Sequence, residues 1–113
     1  MRHFSATLVT TVILICLLTL ASSDSSRAQT GAPKSYTTNC VLCHAADGSG
    51  SSPSGKALKA KDLASKEVQA KSDEDLTEAI TKGKGKMPAF GSKLKPEDIK
   101  ELVAFIRTLP KKS

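Results

Sequence analysis

The motif Cys40-Val41-Leu42-Cys43-His44 constrains this chain more than any other feature of its sequence. On an α-helix, residues three and four positions apart share a face, so the sulfurs of Cys40 and Cys43 and the imidazole of His44 can meet one flat object. C-x-x-C-H is the attachment signature of c-type haem, in which two thiols form thioethers with the vinyl groups and the imidazole binds the iron. The motif therefore predicts one covalently attached haem.

Two other sites built from cysteine and histidine fit the sequence less well. A structural zinc site needs four ligands, and the only other Cys and His of the chain are Cys16 and His3, near the N-terminus. A thioredoxin-like dithiol lies within a βαβ pattern, whereas the sequence after residue 44 lacks the β-branched runs that such strands need. A chance match in an ordinary helix is the remaining alternative, so the rest of the chain must support the haem.

The first 28 residues have the layout of a secretory signal peptide. Arg2 gives a positive start, and the apolar run over residues 8–21 is too short to be a comfortable membrane span. Ser26 and Ala28 are small residues at the two positions that signal peptidase reads, which predicts cleavage after Ala28, with residues 21–23 as the second choice. We expect a periplasmic or otherwise exported protein, tethered to a membrane only if this segment stays uncleaved.

Removal of residues 1–28 leaves residues 29–113, which form one small domain. A chain of this length buries little core by itself, and its aromatic residues are few: Tyr36, Phe90 and Phe105. A covalently held haem would supply the missing apolar centre, around which short helices can pack.

The segment that carries the motif is predicted to be helical from residue 33 to residue 44. Residues 47–55 have the composition of a loop, and residues 56–64 are expected to hold at most a short helical turn. We expect a carbonyl near Pro53 to accept the free ring N–H of His44, which would fix the imidazole and make it a better ligand.

Two more helices are predicted in the second half of the chain. Ser72 and Asp75 form the pattern of a capping box, which predicts a helix of about ten residues that stops at Gly83. The last helix is predicted over residues 96–109, where Pro96 occupies the first position and apolar residues recur three and four positions apart. The predicted fold class is therefore all-α, with three to four short helices around one covalently attached haem.

Met87 is the only methionine after the predicted signal peptide, and it lies in a glycine- and lysine-rich stretch. A single methionine ordinarily fills a gap in a core. If His44 supplies one axial ligand, however, the iron can take a sixth ligand, and no second histidine remains in the mature chain. The Met87 sulfur is then the best soft donor available.

The attachment motif and the methionine stretch together resemble the small bacterial class I c-type cytochromes. Residues 40–48 are similar to the C-x-x-C-H-(G/A)-x-D-G opening of that family, and residues 87–90 match its M-P-x-F loop. The last helix is similar to the closing helix of the family. The resemblance implies that Ala32 and Tyr36 pack across Phe105, with Ala32 standing where the family usually has a glycine.

The resemblance also implies roles for four residues. Cys40 and Cys43 form the thioethers, His44 is the proximal ligand and Met87 is the distal ligand. With both axial positions filled by the protein, the expected function is one-electron transfer between redox partners rather than catalysis. The alternative is a ligand-binding or peroxidase-like haem module in which Met87 leaves the iron.

Charge indicates the kind of partner. The formal net charge of +6 becomes +5 once Arg2, Arg27 and Asp24 are removed with the signal peptide. Five lysines surround the methionine stretch: Lys82, Lys84, Lys86, Lys93 and Lys95. We expect redox partner proteins with acidic docking patches, although ordinary solubilising lysines would give the same pattern. Nucleic acid is not expected, because the protein is predicted to be exported and no aromatic platform interleaves the lysines.

Overall fold

The computed structural model describes residues 31–112. This part of the chain contains six helices: α1 (Lys34–Asn39), α2 (Val41–His44), α3 (Pro53–Leu58), α4 (Lys66–Gln69), α5 (Asp73–Lys82) and α6 (Pro96–Thr108). Its only β contact is an isolated bridge between Lys84 and Met87. The predicted all-α fold class is therefore confirmed, with more and shorter helices than expected.

The predicted signal peptide, residues 1–28, lies outside the described residues. Between residues 31 and 112, each helix is too short or too polar to cross a membrane.

The predicted first helix has the right position but is divided in two. Helix α1 ends at Asn39 and α2 begins at Val41, while Cys40 between them has φ −111° and ψ −33°. The backbone N–H of His44 still donates to the Cys40 carbonyl at 2.8 Å. The motif therefore follows a nearly continuous helical path, as the spacing of its residues required.

The loop predicted over residues 47–55 is wrong from Pro53 onward, because α3 begins there. Ser52 caps this helix, its side-chain oxygen accepting from the Gly55 N–H at 3.0 Å, and Pro53 occupies the first position. A side chain at Gly55 would collide with the Cys43 carbonyl. Helix α3 can thus cross the end of α2 at backbone contact only because residue 55 is a glycine.

The capped helix predicted after Ser72 is confirmed. The Ser72 hydroxyl accepts from the Asp75 N–H at 3.0 Å, and the Asp75 carboxylate accepts from the Ser72 N–H at 3.2 Å. Helix α5 runs for ten residues and ends at Gly83. Helix α4, which the sequence analysis missed, is a single turn capped by Ser65.

The core is built from residues along most of the domain, from Tyr36 in α1 to Ile106 in α6. Its buried members are Tyr36, Val68, Leu76, Ile80, Phe90, Ile99, Leu102, Val103 and Ile106. The rings of Tyr36 and Phe105 lie 4.7 Å apart at 57°, which confirms the implied packing of the first helix against the last.

Helix α6 is also joined to the turn between α4 and α5 through Arg107. Its guanidinium donates to the Gln69 and Lys71 carbonyls at 3.0 and 2.6 Å and to the Asp73 carboxylate at 2.9 Å. One side chain thus satisfies two backbone acceptors and pairs with a charge. The contact fixes α5, and with it the methionine stretch that follows, relative to the last helix.

Candidate haem site

The two cysteines of the motif form no disulfide with each other, and both are half-buried. Burial, followed by the proximity of Cys43, raises the pKa of the Cys40 thiol to about 11. Cys40 also packs against the hydrophobic core. Two half-buried cysteines three residues apart, the first of them packed against the apolar core, fit the attachment points of a c-type haem.

His44 is held in one orientation by a hydrogen bond. Its Nδ1 lies 3.0 Å from the carbonyl oxygen of Lys61, which can only accept, so Nδ1 carries the proton. Burial lowers the pKa of His44, and the bond to Lys61 opposes part of that shift. The ring is therefore neutral at pH 7, with the Nε2 lone pair free to bind a metal.

The acceptor of the His44 proton differs from the one expected. The expected acceptor near Pro53 is wrong, because the chain returns to His44 only after α3 has ended, and Lys61 supplies the carbonyl. Two backbone hydrogen bonds hold residues 60–63 in place beside the motif. The Ala60 N–H donates to the Gly55 carbonyl and the Leu63 N–H donates to the Gly48 carbonyl, both at 2.8 Å. The acceptor thus comes from residues far from the motif in sequence.

The residue that follows the histidine is strained. Ala45 has φ 62° and ψ 169°, a conformation that costs a non-glycine residue on the order of 1–3 kcal/mol. Its carbonyl accepts from the buried Tyr36 hydroxyl at 2.7 Å, and its N–H donates to the Val41 carbonyl at 3.0 Å. Burial is the main reason that the pKa of Tyr36 is raised to about 12. The sequence predicts that Tyr36 packs between helices. It does not reveal that the Tyr36 hydroxyl also fixes the backbone of Ala45, the residue after His44.

Met87 reaches the same core from another part of the chain. It is half-buried in the segment after α5 and packs, like Cys40, against the buried cluster. Its backbone closes a tight turn with Lys84, each residue donating to the carbonyl of the other at 3.0 and 3.1 Å. The side chain of Met87 is therefore presented from a defined backbone position.

The donors in this region fit a haem better than a protein-bound metal ion. They comprise two cysteine sulfurs, a neutral imidazole with an available Nε2 and the thioether of the half-buried Met87. Within residues 31–112, no group of three or more His, Cys, Asp or Glu side chains is placed to hold a metal ion. The cysteines and His44 therefore lack the further ligands of a structural zinc site there.

Comparison with known proteins identifies the family. Residues 27–106 match a family model described as "Cytochrome C oxidase, cbb3-type, subunit III". A cytochrome c6 from Nostoc sp. (strain PCC 7120 / SAG 25.82 / UTEX 2576) is 35% identical over 94 residues, which cover 81% of this chain and 82% of that protein. The chain belongs to the c-type cytochromes. It is a monohaem electron carrier that works with redox partners, not an enzyme, and it binds one covalent haem c, as the motif predicted.

Two further comparisons agree with this assignment. A cytochrome c6 from Alaria esculenta is 38% identical over 73 residues, or 65% of this chain and 81% of that protein. The solved structure of a protein described as "KustC0563 c-type cytochrome" aligns with a TM-score of 0.64 at 37% identity, covering 72% of this chain and 99% of that one. The fold of the cytochrome is thus shared along the whole length of a solved relative.

Proposed function

We propose that this cytochrome is an exported one-electron carrier whose haem is attached through Cys40 and Cys43 and whose iron is bound by His44 and Met87. The observation that carries the proposal is the 3.0 Å hydrogen bond between His44 Nδ1 and the Lys61 carbonyl. It occupies one ring nitrogen and leaves Nε2 as an oriented neutral donor directly after the second attachment cysteine. A structural histidine would also need an acceptor for its N–H, so the feature that favours iron ligation is the second ring nitrogen, Nε2, which forms no hydrogen bond within residues 31–112.

Met87 is proposed as the second axial ligand. Met87 packs against the core that Cys40 also contacts, and residues 87–90 match the M-P-x-F loop of the family. Haem, when bound, supplies exchange of one electron between ferric and ferrous iron. His44 and Met87 would together hold the iron, and they would thereby keep water and small substrates off the metal. A thioether sulfur also favours the ferrous state and should raise the potential.

A reductive titration of the purified holoprotein under carbon monoxide-free and carbon monoxide-saturated conditions tests this function. We expect one reversible one-electron transition and no binding of carbon monoxide to the ferrous protein, because Met87 holds the sixth position. Rapid binding of carbon monoxide by the unmodified protein would contradict the carrier and favour the ligand-binding haem module instead.

Export is proposed from the N-terminal sequence alone. A positive residue followed by the apolar run of residues 8–21 supports a signal peptide over residues 1–28 and a cytochrome domain over residues 29–113. The mass of the exported protein checks this: an N-terminus at or near residue 29 agrees with it, whereas retention of residues 8–21 would mean a membrane tether.

We further propose that the lysines around Met87 form the docking surface for an acidic redox partner. All five side chains are exposed: Lys82, Lys84, Lys86, Lys93 and Lys95. Lys82 pairs with Glu78 at 2.8 Å, while the other four form no ion pair within residues 31–112. Four uncompensated positive charges close to one ligand loop would attract an anionic partner to that side of the protein.

Reversing two of these charges should change electron-transfer rates in a direction set by the charge of the oxidant. For Lys84→Glu/Lys86→Glu we expect the rate with ferricyanide, an anion, to fall roughly tenfold at low ionic strength and the rate with a cationic cobalt complex to rise. Both effects should shrink as salt screens the field.

The matched control is Lys66→Glu/Lys100→Glu, which makes the same change in net charge at exposed positions on α4 and α6. Equal effects from the two double variants would show that only net charge matters and that these lysines form no docking surface.

A further inference from the structure

Gly83 brings the end of α5 into direct contact with the backbone around Met87. It has φ 77° and ψ 167°, a conformation essentially restricted to glycine. A Cβ at this position would lie 2.6 Å from the Met87 carbonyl oxygen, 2.9 Å from the Ala89 nitrogen and 3.0 Å from the Pro88 carbonyl carbon. These neighbours are all backbone atoms, which cannot turn aside as a flexible side chain could.

The chain just beyond Met87 is also hydrogen-bonded to α5. The N–H of Phe90 donates to the Ile80 carbonyl at 2.9 Å, and the N–H of Gly91 donates to the Thr81 carbonyl at 3.1 Å. The last carbonyls of a helix have no partner within the helix, so these bonds use acceptors that α5 leaves free. The segment that carries Met87 therefore lies across the C-terminal end of α5.

Gly91 is the second place where this contact needs a glycine. A Cβ there would lie 2.8 Å from the Thr81 methyl group and 3.0 Å from the Thr81 carbonyl oxygen. Residues 87–91 thus touch the end of α5 at two points, one at each end, and neither point has room for a side chain. We call residues 87–91 the methionine strap.

We propose that Gly83 and Gly91 are positioning residues for the Met87 sulfur: by letting the methionine strap lie in backbone contact with the end of α5, they set how firmly Met87 binds the iron. This inference rests on the proposed axial role of Met87. Displacing the strap increases the fraction of molecules in which the sulfur is off the iron, and an external ligand then binds more tightly in proportion to that fraction.

The experiment compares Gly83→Ala, Gly91→Ala and Gly85→Ala in the holoprotein. Gly85 is the matched control, because it lies in the same loop and has a positive φ of 59°, yet a Cβ there would meet nothing within 4 Å. For each variant, the near-infrared sulfur-to-iron charge-transfer band of the ferric form and the affinity for imidazole are measured. Both readouts report on the iron–sulfur bond itself. A general loss of folding stability would lower the melting temperature without weakening this bond in particular.

We expect Gly83→Ala to lose much of the band and to bind imidazole about tenfold more tightly, with a smaller change of the same sign in Gly91→Ala. Gly85→Ala should keep the band of the unmodified protein even if its melting temperature falls. If Gly83→Ala yields no holoprotein, Gly91→Ala alone decides. The inference would be overturned if the strap variants that yield holoprotein showed the same band and the same imidazole affinity as Gly85→Ala.

Met87→Ala in the same series separates this inference from the proposed ligation. If Met87→Ala abolishes the band while the strap variants keep it, only the positioning role fails. If Met87→Ala itself keeps the band, the ligand assignment fails and the inference fails with it.

Discussion

Met87→Ala lowers the reduction potential of the cytochrome and opens the ferrous iron to carbon monoxide. We expect a fall on the order of 0.1 V, a fraction of the roughly 0.8 V range over which axial ligands set haem potentials. The physical reason is that a thioether sulfur favours ferrous iron, while the water or vacancy that replaces it does not. Spectroelectrochemical titration measures the potential, and a carbon monoxide difference spectrum measures the opening.

Two further variants separate ligation from packing, because Met87 also contacts the core. Met87→Leu restores the apolar volume without a donor, so it should regain stability relative to Met87→Ala but show the same fall in potential. Leu94→Ala removes a side chain packed against the same core without removing a donor, and its potential should stay near that of the unmodified protein. An unchanged potential in both Met87 variants would make this residue a core side chain only.

Cys40→Ala/Cys43→Ala yields a chain that carries no haem through a denaturing gel. The reason is that these two thiols are the proposed covalent attachment points, and the proposed bonds from His44 and Met87 to the iron would not survive denaturation. Each single variant should keep some haem through the remaining thioether. Haem staining of the gel, normalised to protein, is the measurement.

The chain offers a matched control in its third cysteine. Cys16 lies in the apolar run of the proposed signal peptide, so Cys16→Ala should leave the haem stain of the mature protein unchanged. Stain that persists in the double variant, or that is lost in Cys16→Ala, would contradict the assignment of Cys40 and Cys43.

The parts of the structure that sequence reasoning predicted correctly depend on short-range signals. The spacing of the haem motif placed it on a helical path, and Ser72 with Asp75 located the start of α5 to the residue. The last helix was predicted one residue too long, at its C-terminal end. In each case the interaction joins residues at most four positions apart, so the pattern can be read directly from the chain.

Helix α3 was missed because its composition outweighed its cap. Ser52 and Pro53 form an ordinary helix start, but they sit in a stretch rich in glycine and serine that favours a loop. The contact that stabilises α3 is the close approach of Gly55 to the Cys43 carbonyl, a tertiary feature. The choice between helix and loop here therefore depends on tertiary packing, which cannot be read from the local sequence.

The acceptor for His44 could not be predicted for a related reason. Lys61 is 17 residues from the histidine, and any carbonyl of the intervening chain could have served. Which one does depends on where α3 ends and on the hydrogen bonds that return the chain to His44. The hydrogen bond from the Tyr36 hydroxyl to the Ala45 carbonyl could not be predicted either, since nothing in the sequence marks Ala45 as strained.

The near-infrared absorption spectrum of the ferric holoprotein, read beside a haem-stained denaturing gel, tests the central claim most directly. We expect haem that stays on the chain and a low-spin spectrum with the weak sulfur-to-iron charge-transfer band of His44/Met87 ligation. Covalent haem in a high-spin form without that band would contradict the ligation of Met87, and a chain that holds no haem after maturation in a competent host would contradict the site as a whole.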